Sequence, residues 1–338
     1  MRLREIFING SLAIGSVVFL IAAMEILPRV TGILTTAPNP PHIYQQSAYP
    51  EISYELIPFI RERAFKSTVT TNSLGFRSPE RDPSRPLIAV LGDSITFGLG
   101  VEDDESLAAR LERLLPEFQF MNAGVPGYNL AQEMGTYQRK IVPLHPRAFI
   151  LVFFFNDFGA GEAARLTEDG TLRPKNWRPE DLQCSPIREG ILGWLPGACW
   201  LDTHSVIYKA IKIIVNARTG VIQSQKDRVQ SREHPNTQES TDGVMNYRKE
   251  LLTLTTNLPH NLPRLFVIWP DNSIHPRVVP ALKNAAEEAG FTVVDLYELF
   301  GNNVETLTAR GDVVHPTPAS IGKAAAFIKE PLLTILNP

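Results

Sequence analysis

The chain has 338 residues, of which 43% are hydrophobic and 20% charged. This composition is typical of a globular protein with one large domain or two smaller ones. Its 33 basic and 36 acidic residues give a net charge of −3. A chain with this balance lacks the basic field that holds DNA or RNA, which argues against a nucleic-acid partner.

The N-terminal residues 1–30 predict a membrane anchor. Residues 6–27 are mostly apolar, and at about 1.5 Å per residue they match the hydrocarbon thickness of a bilayer, about 30 Å. Arg2 and Arg4 precede the run and only Arg29 follows closely, which favours an N-terminus inside and a body outside the cytoplasm. A cleaved signal peptide and a buried helix are the alternatives. We favour the uncleaved anchor, because the run is long, has no small-x-small cleavage site and lacks a polar face.

Residues 31–85 predict an extended tether that packs on the domain that follows. Residues 31–60 are rich in Pro, Thr, Gln and Tyr, and the segment after them contains NSLGFR (residues 72–77). Such irregular composition is unlike that of an independent domain. We therefore expect the main domain to begin near residue 86.

From residue 86 onward, strands and helices alternate. Five apolar runs predict buried strands, and amphipathic or capped segments between them predict helices. The strands are LIAVLG (87–92), FQFMNAG (118–124), RAFILVFFF (147–155), RLFVIWP (264–270) and FTVVDLY (291–297), and the helices are 104–116, 129–144 with Asn129 as N-cap, 276–290, and 318–336 after the N-cap Thr317. This alternation predicts an α/β protein with a parallel sheet between two helical layers.

Residues 158–242 interrupt that alternation between the third and fourth strands. They are too many for a simple crossover and predict an insertion, in which 204–217 reads as a packed helix and 229–243 as a mobile loop. In open α/β sheets the ligand site lies at the carboxyl ends of the strands. An insertion after the third strand is therefore placed to shape substrate access.

The two cysteines, Cys184 and Cys199, lie in this insertion. If the body lies outside the cytoplasm, a disulfide between them is chemically permitted. Two unpaired thiols are the alternative, and the sequence leaves both open. The spacing shows no CxxC pair or Cys/His cluster of the kind that binds zinc.

Ser94, just past the first strand in GDSITFG (residues 92–98), is the candidate nucleophile. The stretch lacks the GK[ST] ending of a phosphate-binding loop, the third glycine of a dinucleotide fingerprint and the G-x-S-x-G elbow of α/β-hydrolases. A nucleophilic serine needs a base, and the base needs an orienting carboxylate. His315 and Asp312 in GDVVHPTP supply both, in the loop before the last helix.

Two further residues can supply donors for an oxyanion. Gly124 follows the second strand and offers a backbone N–H, and Asn156 follows the third and offers a side-chain amide. Each taken alone is better explained as a turn residue or helix cap. Because all four stretches follow strands of one sheet, we expect them to meet at one edge.

These motifs together resemble the four blocks of the SGNH (GDSL) hydrolase family, in order and spacing, over residues 86–325. The family's four letters match Ser94, Gly124, Asn156 and His315. The resemblance implies a flavodoxin-like α/β/α sandwich of strand order 2-1-3-4-5, and esterase-type acyl transfer to water with no cofactor or metal. It implies a Ser94–His315–Asp312 triad and an oxyanion hole formed by the Ser94 and Gly124 N–H groups and the Asn156 side chain. The segments NSLGFR and GLGVEDDE resemble a membrane-anchored bacterial branch of the family.

One position departs from the family pattern. The third block is usually Gly-x-Asn-Asp, and here Phe154 stands in place of the glycine, which we expect to narrow the site or shift Asn156. We expect Asp157 to be structural. Asp93 is expected to fix the turn by hydrogen bonds, since Asp312 fits the role of triad acid better.

The sequence thus predicts a single-pass, membrane-anchored serine esterase with its catalytic domain on the extracytoplasmic side. Its expected substrate is an acyl or acetyl ester, on a carbohydrate or another small molecule. The same residues would serve an O-acyltransferase acting on an envelope polysaccharide, and the nearby membrane raises a lipid-directed esterase. A non-catalytic binding module is disfavoured because the triad is complete.

Overall fold

The structure, a computed structural model, describes residues 2–31, 41–158, 164–174, 195–216, 218–219, 239–256, 258–259, 261–271, 275–301, 307–308 and 314–337. Internal contacts divide the chain into two compact units. One comprises Met1–Asn39 and Asn176–Gly220, and the other comprises Pro40–Lys175 and Val221–Pro338.

The described residues of the smaller unit are mostly helical. Helix α1 covers Arg2–Val30, and by length and composition its residues Arg4–Val30 could cross a membrane. Helix α5 covers Ala198–His204 and α6 covers residues 206–216, within the helix predicted at 204–217. Cys199 is disulfide-bonded, and Cys184 lies outside the described residues.

The larger unit is built on a five-stranded sheet. Its strands are β5 (Leu87–Leu91), β6 (Gln119–Asn122), β7 (Ala148–Phe153), β10 (Arg264–Ile268) and β11 (Thr292–Asp295). Every pairing is parallel and the order is β6-β5-β7-β10-β11. This confirms the predicted order 2-1-3-4-5. All residues of β5, β6, β7 and β10 are buried, as expected for parallel strands covered on both faces.

Helices cover both faces of the sheet, which confirms the α/β/α sandwich. Helices α3 (Leu107–Leu114) and α10 (Pro318–Leu336) pack on the face that presents Val90 and Val152. Helices α4 (Leu130–Thr136), α7 (Glu239–Thr255) and α8 (Val278–Glu288) pack on the opposite face. The larger unit also contains two short helices, α2 (Ser94–Phe97) and α9 (Leu296–Phe300).

Local sequence signals set the helix ends. The Asn129 side chain accepts a hydrogen bond from the Gln132 N–H at the start of α4, and Thr317 accepts one from the Ser320 N–H at the start of α10, as both N-caps were predicted. The helix predicted over 129–144 is interrupted, because α4 passes into a π-helical turn and then a 3₁₀ turn at Val142–Leu144 that contains Pro143. The helix predicted from 104 begins as a 3₁₀ turn, Asp103–Glu105, before α3.

Four short strands precede the sheet in sequence. β1 (Tyr44–Gln46) pairs with β2 (Tyr54–Leu56), and β3 (Arg61–Ala64) pairs with β4 (Ser67–Thr70), both antiparallel. The sequence predicted an extended tether here and not these hairpins. A third hairpin, β8 (Ala164–Leu166) with β9 (Leu172–Pro174), follows β7. Most of the predicted mobile loop 229–243 lies outside the described residues, and its last residues belong to α7.

Candidate active site

Ser94 stands at the carboxyl end of the central strand β5. The strand ends at Leu91, and Asp93 caps the short helix that Ser94 begins, its Oδ1 accepting a hydrogen bond from the Ile95 N–H at 2.9 Å. Gly92 allows the turn, because a Cβ there would lie 2.2 Å from Thr96 Oγ1 and 3.0 Å from the Val152 carbonyl oxygen. The tight turn leaves Ser94 half-buried at the edge of the sheet.

His315 meets Ser94 although the two are 221 residues apart in sequence. The distance between His315 Nε2 and Ser94 Oγ is 3.0 Å, a hydrogen bond in which the hydroxyl can donate to the imidazole. The chain directly after the histidine is held in place: Pro316 forms a bridge with Thr308, and the Thr317 N–H donates to the Leu307 carbonyl at 2.7 Å. The predicted nucleophile and base therefore lie together in the geometry that proton transfer requires.

The predicted triad acid cannot be placed in the same way. Asp312 lies outside the described residues, and its role as the partner of His315 stays a prediction.

Asn156 reaches the nucleophile turn through Asp93. It lies in the 3₁₀ turn Phe155–Phe158 that follows β7, and its Nδ2 donates to Asp93 Oδ2 at 2.7 Å. Asp93 is buried, and burial raises the pKa of its carboxyl, while hydrogen bonds from Ile95 and Asn156 oppose that rise. Asp93 thus orients the Asn156 amide, and the second N–H of that amide is available to a ligand.

Gly124 packs directly against α2, the short helix that begins at Ser94. A Cβ at this position would lie 2.4 Å from the Phe97 backbone nitrogen, so only glycine fits. Its N–H donates to the Asn122 side-chain oxygen at 3.1 Å. Gly124 therefore lies beside the helix that begins at Ser94, with its N–H paired to Asn122, and its role as an oxyanion donor stays a prediction.

Phe154, the residue in the glycine position of the third block, is buried. It belongs to the apolar cluster on the α3 and α10 face of the sheet, together with Val152 and Trp269. The Phe154 N–H donates to Asp157 Oδ2 at 3.0 Å. This bond connects Asp157, inside the 3₁₀ turn, to the residue just before that turn. It is consistent with the structural role expected for Asp157.

A second histidine lies beside the Asn156 turn. The ring of His275 stacks on Phe155, with 4.0 Å between ring centroids and 20° between planes. His275 Nε2 pairs with Asp271 at 2.9 Å, and Asp271 Oδ1 accepts a hydrogen bond from the Tyr297 hydroxyl at 3.0 Å. This group was not predicted from the sequence, although Asp271 and His275 follow the fourth strand in a D-x-x-x-H pattern.

Two more acids are buried within the unit. Burial, reinforced by the charge of Asp157, raises the pKa of Glu133 well above its usual range, and burial with the charge of Asp93 does the same for Asp157. Both oxygens of Glu133 and Oδ1 of Asp157 lack a hydrogen-bond partner within the described part of the chain. In the part of the chain that the structure describes, no group of three or more His, Cys, Asp or Glu side chains could hold a metal ion.

Comparison with known proteins identifies the family. Residues 90–320 match the model of the GDSL-like lipase/acylhydrolase family, which is more than half of the chain. The chain belongs to this family. It is accordingly an SGNH-type serine hydrolase, as the sequence motifs predicted. No curated protein sequence matches the chain.

Solved structures of GDSL hydrolases and related enzymes are similar at low sequence identity. The psychrotrophic esterase EstA of Pseudoalteromonas sp. is 12% identical, with a TM-score of 0.43 over 75% of this chain and 99% of that one. The lipase/acylhydrolase of Enterococcus faecalis is 14% identical, with a TM-score of 0.41 over 73% and 95%. A mutant of Axe2, an acetyl-xylooligosaccharide esterase from Geobacillus, is 14% identical, with a TM-score of 0.39 over 75% and 96%.

Proposed function

We propose that this GDSL hydrolase is a membrane-anchored serine esterase that removes an acyl or acetyl group from a carbohydrate or another small substrate. The observation that carries the proposal is the 3.0 Å pairing of Ser94 Oγ with His315 Nε2. Ser94 is half-buried and Asn156 is exposed. A site open in this way suits an ester group carried on a molecule that itself stays in solution.

In the proposed mechanism, His315 Nε2 takes the proton of the Ser94 hydroxyl as Oγ attacks the ester carbonyl. The oxyanion accepts hydrogen bonds from the free N–H of Asn156 and from the backbone N–H groups of Ser94 and Gly124. For Gly124 this requires its N–H to turn from Asn122 or to be shared with it. His315 then protonates the leaving alcohol, and water, activated by the same imidazole, releases the acid.

Asp312 is the proposed third member of the triad. In this role it accepts a hydrogen bond from the other imidazole nitrogen of His315 and stabilises the imidazolium formed during each proton transfer. Asp93 is a poor candidate for that role, because its carboxyl is already bonded to the Ile95 N–H and to Asn156.

We further propose that α1 is retained as a membrane anchor and that the larger unit, which carries Ser94 and His315, lies outside the cytoplasm. The arginines before the apolar run support that orientation, and the disulfide at Cys199 suits an oxidising compartment. Retention is supported by Glu25, near the end of α1, whose carboxylate accepts hydrogen bonds from the Val206 N–H at 2.7 Å and the Ile207 N–H at 3.2 Å. Cleavage after α1 would remove the cap of α6.

The test is hydrolysis of p-nitrophenyl esters, from acetate to long acyl chains, by the full chain in detergent micelles. We expect turnover that is lost in Ser94→Ala and in His315→Gln. The exposed Ser84, replaced by alanine, is the matched control and should leave turnover unchanged. Undiminished activity of Ser94→Ala would refute the proposed nucleophile.

The acyl-chain profile identifies the substrate class. Turnover confined to short chains supports deacylation of a carbohydrate, whereas preference for long chains would redirect the proposal to lipid esters. If a folded protein hydrolyses none of the esters, an acyl donor is supplied together with a glycan. Formation of an acylated glycan would then identify the protein as an O-acyltransferase that uses the same residues.

A further inference from the structure

Helices α5 and α6 bury a charged side chain and expose several large apolar ones, an inversion of the usual pattern at these positions, although Val206 and Tyr208 on α6 are buried. Asp202 is only 3% exposed, and it pairs with Lys212 at 2.8 Å and Lys209 at 3.3 Å. Apolar side chains on the same two helices face outward, with Trp200 62% and Ile214 68% exposed. In water, a stable small unit normally buries its apolar groups and exposes its charges. The inverted arrangement indicates a different surrounding.

The exposed apolar residues extend over both helices. They include a tryptophan and the isoleucines of the C-terminal half of α6: Trp200, Ile211, Ile213 and Ile214. Asp202 pairs with two lysines of α6, whose side chains are mostly buried. The four large apolar side chains stay exposed beside polar neighbours such as His204 and Arg218, an arrangement that soluble proteins rarely leave in contact with water. We call these four residues the apolar surface.

The apolar surface is attached to the end of the anchor helix. The Glu25 carboxylate accepts hydrogen bonds from the Ser205 hydroxyl at 3.1 Å and from the backbone N–H groups at the start of α6. Arg29 binds both Glu25 and the carbonyl of His204. A carboxylate at a helix N-terminus stabilises that helix, so α1 and α6 form one connected structure within this unit.

The length of α1 sets the depth of this junction. A bilayer core of about 30 Å takes up about 20 helical residues. If the core begins at Ile6, it ends beside Glu25, where a carboxylate is acceptable because it lies at the polar boundary. The start of α6 is therefore level with the boundary between acyl chains and headgroups.

We infer that α5 and α6 lie on the outer boundary of the bilayer, with the apolar surface in contact with lipid. The inference rests on the proposed retention of α1 as an anchor. Lipid is favoured as the occupant because α6 is bonded through Glu25 to α1, which is exposed over residues 4–22 and apolar enough to cross a membrane. Trp200 suits that depth, since tryptophan is enriched at the membrane–water interface.

The test measures the surroundings of Trp200 in the full chain reconstituted into phosphatidylcholine vesicles. The difference in emission between wild type and Trp200→Phe isolates this one tryptophan. We expect vesicles of dibrominated phosphatidylcholine to remove most of that difference signal, and aqueous iodide to leave it nearly unchanged. Ile213→Ser combined with Ile214→Ser should increase the iodide quenching of Trp200 and leave turnover of p-nitrophenyl acetate unchanged.

Two results would overturn the inference. One is strong iodide quenching of Trp200 without quenching by the brominated lipid, and the other is iodide quenching unaltered by the serine variant. Alkaline extraction of the same vesicles separates this outcome from failure of the anchor. A chain that is extracted contradicts the anchor, whereas a chain that resists extraction but has an iodide-accessible Trp200 contradicts only the lipid contact of α5 and α6.

Discussion

Asp93 joins the nucleophile turn to the proposed oxyanion donor. One carboxyl oxygen caps the helix that begins at Ser94, and the other accepts the Asn156 amide. Because both bonds converge on a buried carboxyl, the position of Asn156 depends on the same residue that shapes the nucleophile turn. Asn156 is thereby held before substrate arrives, which is the condition for effective stabilisation of a developing charge.

Replacing Asn156 by alanine tests its role as an oxyanion donor. We expect kcat for p-nitrophenyl acetate to fall by about 100- to 1,000-fold with little change in KM, because the lost bond forms mainly in the transition state. Asp93→Asn should lower kcat in the same way by misorienting the amide. The exposed Asn261, replaced by alanine, is the control and should behave as wild type. A rise in KM at constant kcat in Asn156→Ala would instead assign Asn156 to ground-state binding.

The candidate site residues could be proposed from the sequence because their positions relative to the predicted strands were informative. Ser94 and His315 each follow a strand of the predicted sheet, and the structure brings them within a hydrogen bond. The pairing of Gly124 with Asn122 and the stacking of His275 on Phe155 were missed. The stacking joins residues that are distant in sequence and depends on the assembled fold, whereas the Asn122–Gly124 bond has the two-residue spacing of an Asx-turn, a local signal that could have been used.

Arg77 connects the segment that precedes the sheet to α2, the short helix that begins at Ser94. Its guanidinium is fully buried and donates to the carbonyl oxygens of Phe97 and Gly98, at the end of α2, at 3.0 and 2.8 Å. It also donates to the carbonyls of Thr68 and Val101 and to the Asp103 carboxylate, at 2.7 to 2.8 Å. One side chain thus bonds four backbone carbonyls, three in the residues that follow Ser94 and one in β4.

Replacing Arg77 by lysine should destabilise the protein by about 3 kcal/mol, because an ammonium cannot reproduce the planar fork and loses several of its buried hydrogen bonds. The measurement is chemical denaturation followed by circular dichroism. Arg63→Lys is the matched control, since Arg63 is exposed and lies 4.0 Å from Glu102, and it should change the free energy of unfolding very little. Equal stability of Arg77→Lys and wild type would show that water satisfies these carbonyls.

The strands of that segment, β1 to β4, could not be predicted from local sequence. The five sheet strands were predicted because long apolar runs are characteristic of buried parallel strands. β1 to β4 have only three or four residues each, too few for a visible alternation. The turn between β3 and β4 places Phe65 and Lys66 at φ values of 52° and 69°, whereas the usual signal for such a turn is Asn-Gly. Helix α7 was missed because it begins with the polar run ESTDG.

In the larger unit, buried acidic side chains from elements that are distant in sequence lie close enough to repel one another. Glu133 lies on α4, Asp157 follows β7 and Asp93 follows β5, and their mutual repulsion adds to burial in raising the pKa of Glu133 and Asp157. Burial and the charge of Asp157 also raise the pKa of Tyr247 on α7. The folded state therefore favours the protonated form of these groups.

The pH dependence of stability follows from that preference. When the folded-state pKa of a carboxyl lies above its unfolded value, the native state binds more protons than the unfolded state between the two pKa values. The stability that this carboxyl contributes is fully present below the unfolded pKa, near 4.5 for glutamate. It is lost progressively as the pH rises toward the raised folded pKa.

Glu133→Gln should remove the contribution of Glu133 to the pH dependence of stability, because an amide of the same shape does not ionise. We expect the free energy of unfolding of the variant to gain on wild type by about 1.4 kcal/mol per pH unit above the unfolded pKa, for as long as native Glu133 stays protonated. Urea denaturation at a series of pH values from 4 upward measures this, with Glu62→Gln as the control because Glu62 is exposed. The control should run parallel to wild type at every pH. A constant difference between Glu133→Gln and wild type across the series would mean that Glu133 ionises alike in the folded and unfolded chains.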